Sequence, residues 1–509
     1  MNRLTAGGLA LVSVLAGKIS IACRLRRPPE GWRRTVGILL RSEPTRFAVS
    51  AFGLRVPGAS GSDSPERIRQ MAARALHRYL SSSADAHFAL EWRPAVTIRR
   101  RIAAVDVAVL EFSDQGELSS VVPLLADDPA VRLSAAEQPR VLQAIVTVYN
   151  QTRRLREVER PGAIRQSVER ILGPDDRAAI AFARRLLAAT CVSFETVDPS
   201  DATARFRPPQ FQLRRSLGFG FLTFVIRPGE RANEVDVWVG AHHVGLDGVP
   251  LQELVSGLEQ EWGSGEPIVF PSARSDQAFM PPRTCSVEGE RAVDELLAFV
   301  DFSPVTALRQ AVNARFADRL EAPATFGAVL AWVLESEPEF SGVRIASTVD
   351  VAASEGYDRD VDVVPLRPAD YASRGDRWSG FIAFANEFNR LIGLSRARRS
   401  PLREGMSTAG LLPAAVHAHV VRSNPPALDE TFGSLCITII RDAKVFVAPM
   451  TDLGLGHGFF AIGSTNLPSA DGTPVAAVSI KGDAGRISDH HAALVRAIAR
   501  SATLAQALS

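Results

Sequence analysis

The chain has 509 residues, which is long enough for two or three domains or for one large two-lobed unit. Its 58 basic and 56 acidic residues give a net charge of +2, so no global field favours nucleic acid as a partner. The four cysteines are far apart and show no CxxC spacing. This argues against a structural zinc site or a dense disulfide framework, and it fits a reducing, cytoplasmic compartment.

An apolar stretch lies near the N-terminus, at residues 4–23, and Arg24, Arg26 and Arg27 follow it. A short membrane anchor with a cytoplasmic basic flank is one interpretation. Lys18 and the glycines of the stretch argue against it, and no A-x-A cleavage site follows that would indicate a signal peptide. We expect a buried or peripheral helix, with membrane association through residues 4–23 as the alternative.

The first half of the chain alternates between helical and strand patterns. Apolar residues at helical spacing predict helices, and alternation predicts strands. The predicted elements are a helix at 66–80, two or three strands at 87–112, helices at 135–156, 162–172 and 175–190, and a hairpin of strands 211–226 and 234–239.

Residues 263–283 contain Gly-Ser-Gly, several prolines and few periodic apolar residues, which is typical of a connection between lobes. The predicted elements after it are helices at 288–300, 303–318 and 325–335, strands at 343–351 and 361–366, a helix at 377–394, a strand at 475–480 and a helix at 490–500. The corresponding domains are 1–85, an N-terminal extension or helices of the first lobe; 86–265, the first lobe; 266–285, the connection; and 286–509, the second lobe.

The period of the hydrophobic pattern changes within residues 235–261. Val235, Val237 and Val239 alternate as in a partly buried strand, and an amphipathic helix starts near Pro250. The junction between them carries His242, His243, Asp247 and Gly248. Imidazole titrates near neutrality, so a histidine at a strand end suits proton transfer. A pair of core histidines with a turn aspartate is the alternative.

These residues resemble the HHxxxDG signature of the chloramphenicol acetyltransferase-like superfamily, which includes condensation domains, BAHD-type and wax ester acyltransferases, and dihydrolipoyl acyltransferases. The resemblance implies an α/β fold of two lobes, with mixed sheets flanked by helices, that form a pseudo-dimer around a channel. It also implies that His243 is the general base. His242, Asp247 and Gly248 would be structural residues of the site.

Two later stretches extend the resemblance. Residues 431–439 are similar to the strand of dihydrolipoyl acyltransferases that bears a hydroxyl donor to the tetrahedral intermediate, and the donor position falls on Thr438. Plain β-propensity explains a threonine there equally well. Asp452-Leu-Gly-Leu-Gly456 resembles the structural DFGWG motif of BAHD-type enzymes, with Asp452, Gly454 and Gly456 retained and the aromatic residues replaced.

The end of the chain repeats the pattern of the histidine stretch, with a strand, a turn and a helix. Laid over the first copy, Ala484 or Gly485 takes the place of His243, so the second copy has lost its base. His490 and His491 fall at the helix start, where we expect a capping or solvated role. A fused pair of lobes can lose one base and keep one working site, so a monomer would contain a complete channel with His243 facing Thr438.

The expected function is acyl transfer from a coenzyme A or carrier-protein thioester to a hydroxyl, amine or thiol, without a covalent acyl-enzyme. The partners would be a small-molecule or carrier-tethered donor and acceptor, with no metal and no permanently bound cofactor. Arg396, Arg398 and Arg399 either end a solvated helix or contact a phosphate of coenzyme A. An inactive relative that binds or scaffolds is the alternative class. A lipoyl-dependent acyltransferase is disfavoured because no lipoyl-type lysine hairpin is present.

Overall fold

The structure is a computed structural model. It describes residues 47–92, 97–126, 133–152, 155, 160–198, 200, 204–209, 217, 220–242, 246, 248–262, 270, 272, 283–286, 292–354, 357–373, 375–397, 399, 433–447, 458–483 and 485–509.

The described chain divides into two compact lobes. The first lobe contains the described residues between 47 and 262, and the second contains those between 270 and 509. A strand that the sequence patterns did not predict, at Phe47–Arg55, opens the first lobe. The apolar stretch at 4–23 lies outside the described residues.

The first lobe is a mixed sheet with helices and a separate hairpin. Its strands are β1 (Phe47–Arg55), β2 (Phe88–Trp92), β3 (Thr97–Arg101), β4 (Val107–Phe112), β5 (Leu118–Leu124), β6 (Thr190–Phe194), β7 (Leu222–Pro228) and β8 (Glu234–His242). Its helices are α1 (Pro65–Ser82), α2 (Gln138–Gln151), α3 (Arg160–Leu172), α4 (Arg177–Leu187) and α5 (Gly248–Trp262).

The described part of the second lobe has nine strands, and eight of them, all except Val445–Val447, form its mixed sheet. The strands of this lobe are β9 (Arg283–Ser286), β10 (Ala292–Val300), β11 (Ile345–Ser354), β12 (Tyr357–Leu366), β13 (Leu435–Ile439), β14 (Val445–Val447), β15 (Gly458–Ile462), β16 (Leu467–Pro468) and β17 (Pro474–Asp483). The helices are α6 (Ser303–Arg315), α7 (Phe326–Leu334), α8 (Ala369–Ala372), α9 (Arg377–Arg396) and α10 (Ile487–Leu508).

The two sheets share one topology. In space the first runs β1-β8-β7-β6-β4-β5, and the second runs β10-β17-β15-β13-β11-β12. Successive pairs are antiparallel, antiparallel, parallel, parallel and antiparallel in both. The chain also visits the positions in the same sequence and then enters a helix. The prediction of an α/β protein with two related lobes is therefore confirmed.

The main core of the second lobe lies on one face of its sheet, against α6, α7, α9 and α10. Successive strand residues point to opposite faces, so each strand divides into a core side and an opposite side. On β17, Val478 and Ile480 join the core while Ser479 and Lys481 face the other way. On β13, Ile437 joins the core and Thr438 lies on the opposite face.

The predicted helix at 288–300 is wrong, because residues 292–300 form strand β10. Leu296, Ala298 and Val300 enter the main core, and Leu297 and Phe299 are buried on the other face. A run that is apolar on both faces loses the alternation by which an amphipathic strand is recognised. Antiparallel pairing with β17 and β9 then stabilises residues 292–300 as a strand.

None of the helices that the structure describes combines the length and hydropathy needed to cross a bilayer.

Candidate functional site

Strand β8 is an inner strand of the first sheet, and the histidine motif begins at its C-terminal end. It lies between β1 and β7, antiparallel to both, and ends at His242, whose side chain is 0% exposed. The backbone N–H of His242 donates to the carbonyl of Phe221 at 2.6 Å, and the His242 carbonyl accepts from the N–H of Leu246 at 3.1 Å. Helix α5 begins at Gly248, so the predicted strand and helix are both present. His243 and Asp247 lie outside the described residues.

Helix α5 is fixed to the rest of its lobe by two specific contacts. Ser50 Oγ on β1 donates to Gln252 Oε1 at 3.0 Å, and the Tyr79 hydroxyl on α1 donates to the Leu254 carbonyl at 3.2 Å. Gly257 makes room for that hydroxyl, since a Cβ at this position would lie 2.2 Å from Tyr79 Oη. The helix after the motif therefore has a defined position against the strand before it.

Charged groups contact the face of β8 that carries Asp236 and Trp238. Arg205 forms a two-point hydrogen bond with the buried carboxylate of Asp236, at 2.6 and 2.9 Å. Burial raises the pKa of Asp236, and the Arg205 guanidinium acts in the opposite direction. Arg227 lies 5.3 Å from the ring centre of Trp238 and pairs with Glu195. These contacts fix the segment around Arg205 against the strand that carries the motif.

Thr438, the second predicted catalytic residue, lies on β13 and faces away from the main core of its lobe. It is half-buried and pairs with Ala461 on β15. Its hydroxyl lies 4.0 Å from the Sγ of Cys436, which is on the same face. The Thr438 side chain therefore stays outside the main core of its lobe.

The strand registers align the two lobes residue by residue, because the same residue pair recurs between β4 and β6 and between β11 and β13. Ala108 pairs with Cys191 in the first lobe, and Ala346 pairs with Cys436 in the second. Burial raises the pKa of both thiols to about 12. Followed across each sheet, this row is Ala108-Cys191-Thr223-Gly240-Val49 and Ala346-Cys436-Phe459-Lys481-Glu295.

The next row on the same face is Leu110-Ser193-Val225-Trp238-Ala51 in the first lobe and Thr438-Ala461-Ser479-Leu297 in the second. Ser193 is therefore the counterpart of Thr438. Its hydroxyl is buried and has no hydrogen-bond partner among the described residues. Sequence reasoning missed Ser193, although the repeat of Cys-Val-Ser as Cys-Ile-Thr was a usable signal.

The register also bears on the choice between Ala484 and Gly485. Gly240 and Lys481 occupy equivalent places, and three residues beyond each lie His243 and Ala484. Counting along the chain thus favours Ala484 as the counterpart of the predicted base. In the second lobe this turn is held by Asp294, whose Oδ2 accepts from the N–H of Gly485 at 2.8 Å.

The expected capping or solvated role of His490 and His491 is wrong, because both are buried in the second lobe. Helix α10 already begins at Ile487, so the two rings fall within its first turns and pack inward. The His490 ring lies 5.2 Å from the ring of Phe340. Burial lowers the pKa of His491.

The remaining predicted site residues divide into exposed and undescribed ones. Arg396 ends α9, and both Arg396 and Arg399 are exposed. Arg398, Asp452, Gly454 and Gly456 lie outside the described residues. Within the described part of the chain, no group of three or more His, Cys, Asp or Glu side chains could hold a metal ion.

No protein-family model and no curated protein matches the chain. Among solved structures, a variant of the starter condensation domain of rhizomide synthetase RzmA, in complex with C8-CoA and Leu-SNAC, is 10% identical with a TM-score of 0.42, and the match covers 93% of both chains. The first condensation domain of the CDA synthetase is 11% identical with a TM-score of 0.46, over 93% of this chain and 94% of that one.

A wax ester synthase/diacylglycerol acyltransferase from Marinobacter aquaeolei VT8 is 8% identical with a TM-score of 0.41, over 94% of this chain and 99% of that one. These proteins are of the classes that the HHxxxDG resemblance predicted. With TM-scores below 0.5, they assign neither an activity nor a site residue to this chain.

Proposed function

We propose that the protein is an acyltransferase that moves an acyl group from a coenzyme A or carrier-protein thioester to a hydroxyl, amine or thiol. The observation that carries the proposal is the junction of β8 and α5, where the sequence HHxxxDG bridges a buried strand end and an anchored helix. Because the strand before this segment and the helix after it are both anchored, we expect the segment to hold the His243 imidazole in one place, as proton transfer requires.

In the proposed reaction, His243 removes the proton of the acceptor while the acceptor heteroatom attacks the thioester carbonyl. The tetrahedral intermediate then collapses, the C–S bond breaks, and the thiol leaves with the proton from His243. No acyl-enzyme forms. General-base assistance of this kind contributes about 10²–10⁴ in rate.

Thr438 is the proposed hydrogen-bond donor to the oxygen of the tetrahedral intermediate. Its half-buried hydroxyl on the face away from the core supports this role. One such donor contributes roughly 3 kcal/mol. The proposal requires His243 and Thr438 to serve one cavity, within roughly 10 Å of each other, so that one tetrahedral centre lies between them.

The test has two stages. Mass spectrometry of ligands retained on purification, followed by thiol-release assays over acyl-CoA chain lengths and acyl-carrier thioesters, identifies a donor. His243→Ala should then fold normally and lose turnover by the general-base factor. Full activity of that variant would refute the base assignment. Absence of turnover by the wild type with every thioester would favour a binding or scaffolding protein.

A further inference from the structure

A buried charge pair lies on the face of the second sheet that carries Thr438. Lys481 on β17 pairs with Glu295 on β10, with 3.6 Å between Nζ and Oε1. The Lys481 side chain is only 4% exposed, and that of Glu295 is 18% exposed. The separation is too long for a good hydrogen bond, and Glu295 Oε1 has no hydrogen-bond partner among the described residues.

Stability does not explain this pair. Its counterparts in the first lobe are Gly240 and Val49, so the same fold is built there without a charge in either position. Removing two ions from water costs several kcal/mol each, which mutual attraction offsets only when hydrogen bonds satisfy the remaining donors and acceptors. Here Glu295 Oε1 lacks such a hydrogen bond among the described residues. The pair is therefore better explained by a group that binds to it.

The neighbouring row offers a further buried polar group. Ser479, 1% exposed, lies two residues before Lys481 on the same face of β17, and its hydroxyl has no partner in the described chain. The first lobe has Trp238 in that place. Ala461 lies between Ser479 and Thr438, so the two hydroxyl-bearing strands are about 10 Å apart with a small residue between them.

We propose that Lys481, Glu295 and Ser479 form a subsite that binds an amide group of the acyl acceptor; this rests on the acyltransferase function proposed above. An ammonium only donates hydrogen bonds and a carboxylate only accepts them. A carboxamide presents both an oxygen and an N–H₂, so it satisfies Lys481 and Glu295 together. The Ser479 hydroxyl then bonds either end of the amide.

The experiment compares two amine acceptors that differ by one carboxamide, leucinamide and isopentylamine, with the thioester that the wild type uses. The measured quantity is the ratio of their kcat/KM values. The double variant Lys481→Met/Glu295→Leu removes both charges together, so that no unpaired ion is buried. Its ratio should fall about tenfold or more while its melting temperature stays equal or rises. Ser479→Ala should lower the ratio a few-fold.

The control is the exposed pair Arg390 and Glu387 on α9. Arg390→Gln/Glu387→Gln should leave the ratio unchanged. A wild-type ratio retained in both Lys481→Met/Glu295→Leu and Ser479→Ala would overturn the subsite. A lower melting temperature with a retained ratio would do the same and make the pair structural. Failure of the wild type to transfer any acyl group would refute the proposed function, whereas transfer with an unaltered ratio refutes only the subsite.

Discussion

The two lobes fold on one topology but differ at the end of the strand that precedes the last helix. In the first lobe, β8 ends in a buried histidine and leads into the HHxxxDG turn. In the second lobe, β17 carries Lys481 at the place of Gly240 and reaches Ala484 at the place of His243. Strand order and direction are therefore constraints of the fold, whereas the residues at these positions are free to diverge.

The sheet face that carries Ser193 in the first lobe and Thr438 in the second shows the same divergence. The first lobe fills it with Val225 and Trp238, and the second lobe places Ala461 and Ser479 there. We infer that each lobe kept a different part of one duplicated site, with the proposed base in the first and the proposed hydroxyl donor in the second.

The sharpest test of this difference is to shorten the side chain at each of the two turn positions in turn. His243→Ala should lower kcat by about 10²–10⁴, since the acceptor then loses its base. Ala484→Gly, the matched change in the second lobe, should leave kcat unchanged. Steady-state kinetics with the best acceptor measures both variants. Equal losses in the two would mean that the lobes do not differ in this function.

The two counterpart hydroxyls give the next largest difference. Thr438→Val should lower kcat by roughly 10²–10³, because the intermediate loses a hydrogen-bond donor. Ser193→Ala should be neutral or slightly stabilising, because its buried hydroxyl has no described partner. Both variants should retain the wild-type circular dichroism spectrum. Should Ser193→Ala lose activity instead, the donor would have to be reassigned to the first lobe.

Asp294, and Asp247 in its proposed structural role, should separate stability from activity. Asp294→Ala should cost about 1.5–3 kcal/mol in the free energy of unfolding, because the N–H of Gly485 loses a charged acceptor, and kcat should not change. Asp247→Ala should lower both, with a stability loss of ~3–5 kcal/mol if its partner is a buried cation. Urea denaturation and kinetics give the two numbers. Unchanged stability with lost activity for Asp247→Ala would make it a direct catalytic group.

The space that Gly257 of α5 leaves for the Tyr79 hydroxyl gives a smaller, purely structural test. Gly257→Ala should destabilise by about 1–3 kcal/mol, since the new Cβ meets Tyr79 Oη. In a Tyr79→Phe background the obstacle is gone, and the higher helix propensity of alanine should add about 1 kcal/mol. Thermal unfolding of the four proteins of this double-mutant cycle measures the coupling. Additive effects of the two substitutions would show that the Tyr79 hydroxyl does not lie against residue 257.

The smallest expected effect concerns the buried histidine of the second lobe. Burial lowers the pKa of His491 below its ordinary value of 6.5, so the unfolded chain binds this proton more readily than the fold does. Stability should therefore fall as the pH drops below about 6.5. His491→Leu should reduce the loss of melting temperature between about pH 7.5 and 5.5. An equally steep loss in the variant would assign it to other groups.

The sequence by itself determined the local features of this protein. The change from period two to period three or four at residues 235–261 located β8 and α5, since both periods depend on near neighbours in the chain. Two adjacent histidines at fixed spacing from Asp247 and Gly248 indicated the candidate site for the same reason. Most helices and the hairpin of β7 and β8 were predicted on this basis.

Only the tertiary structure determined the features that depend on contacts between residues far apart in the sequence. Residues 292–300 became a strand because β17, far along the chain, pairs with them. The alignment of Ser193 with Thr438, and the meeting of Lys481 with Glu295, follow from sheet register, which joins residues that are remote in sequence. Burial of His490 and His491 likewise depends on the core that α10 covers. Periodicity carries no information about such pairings, so they required the folded chain.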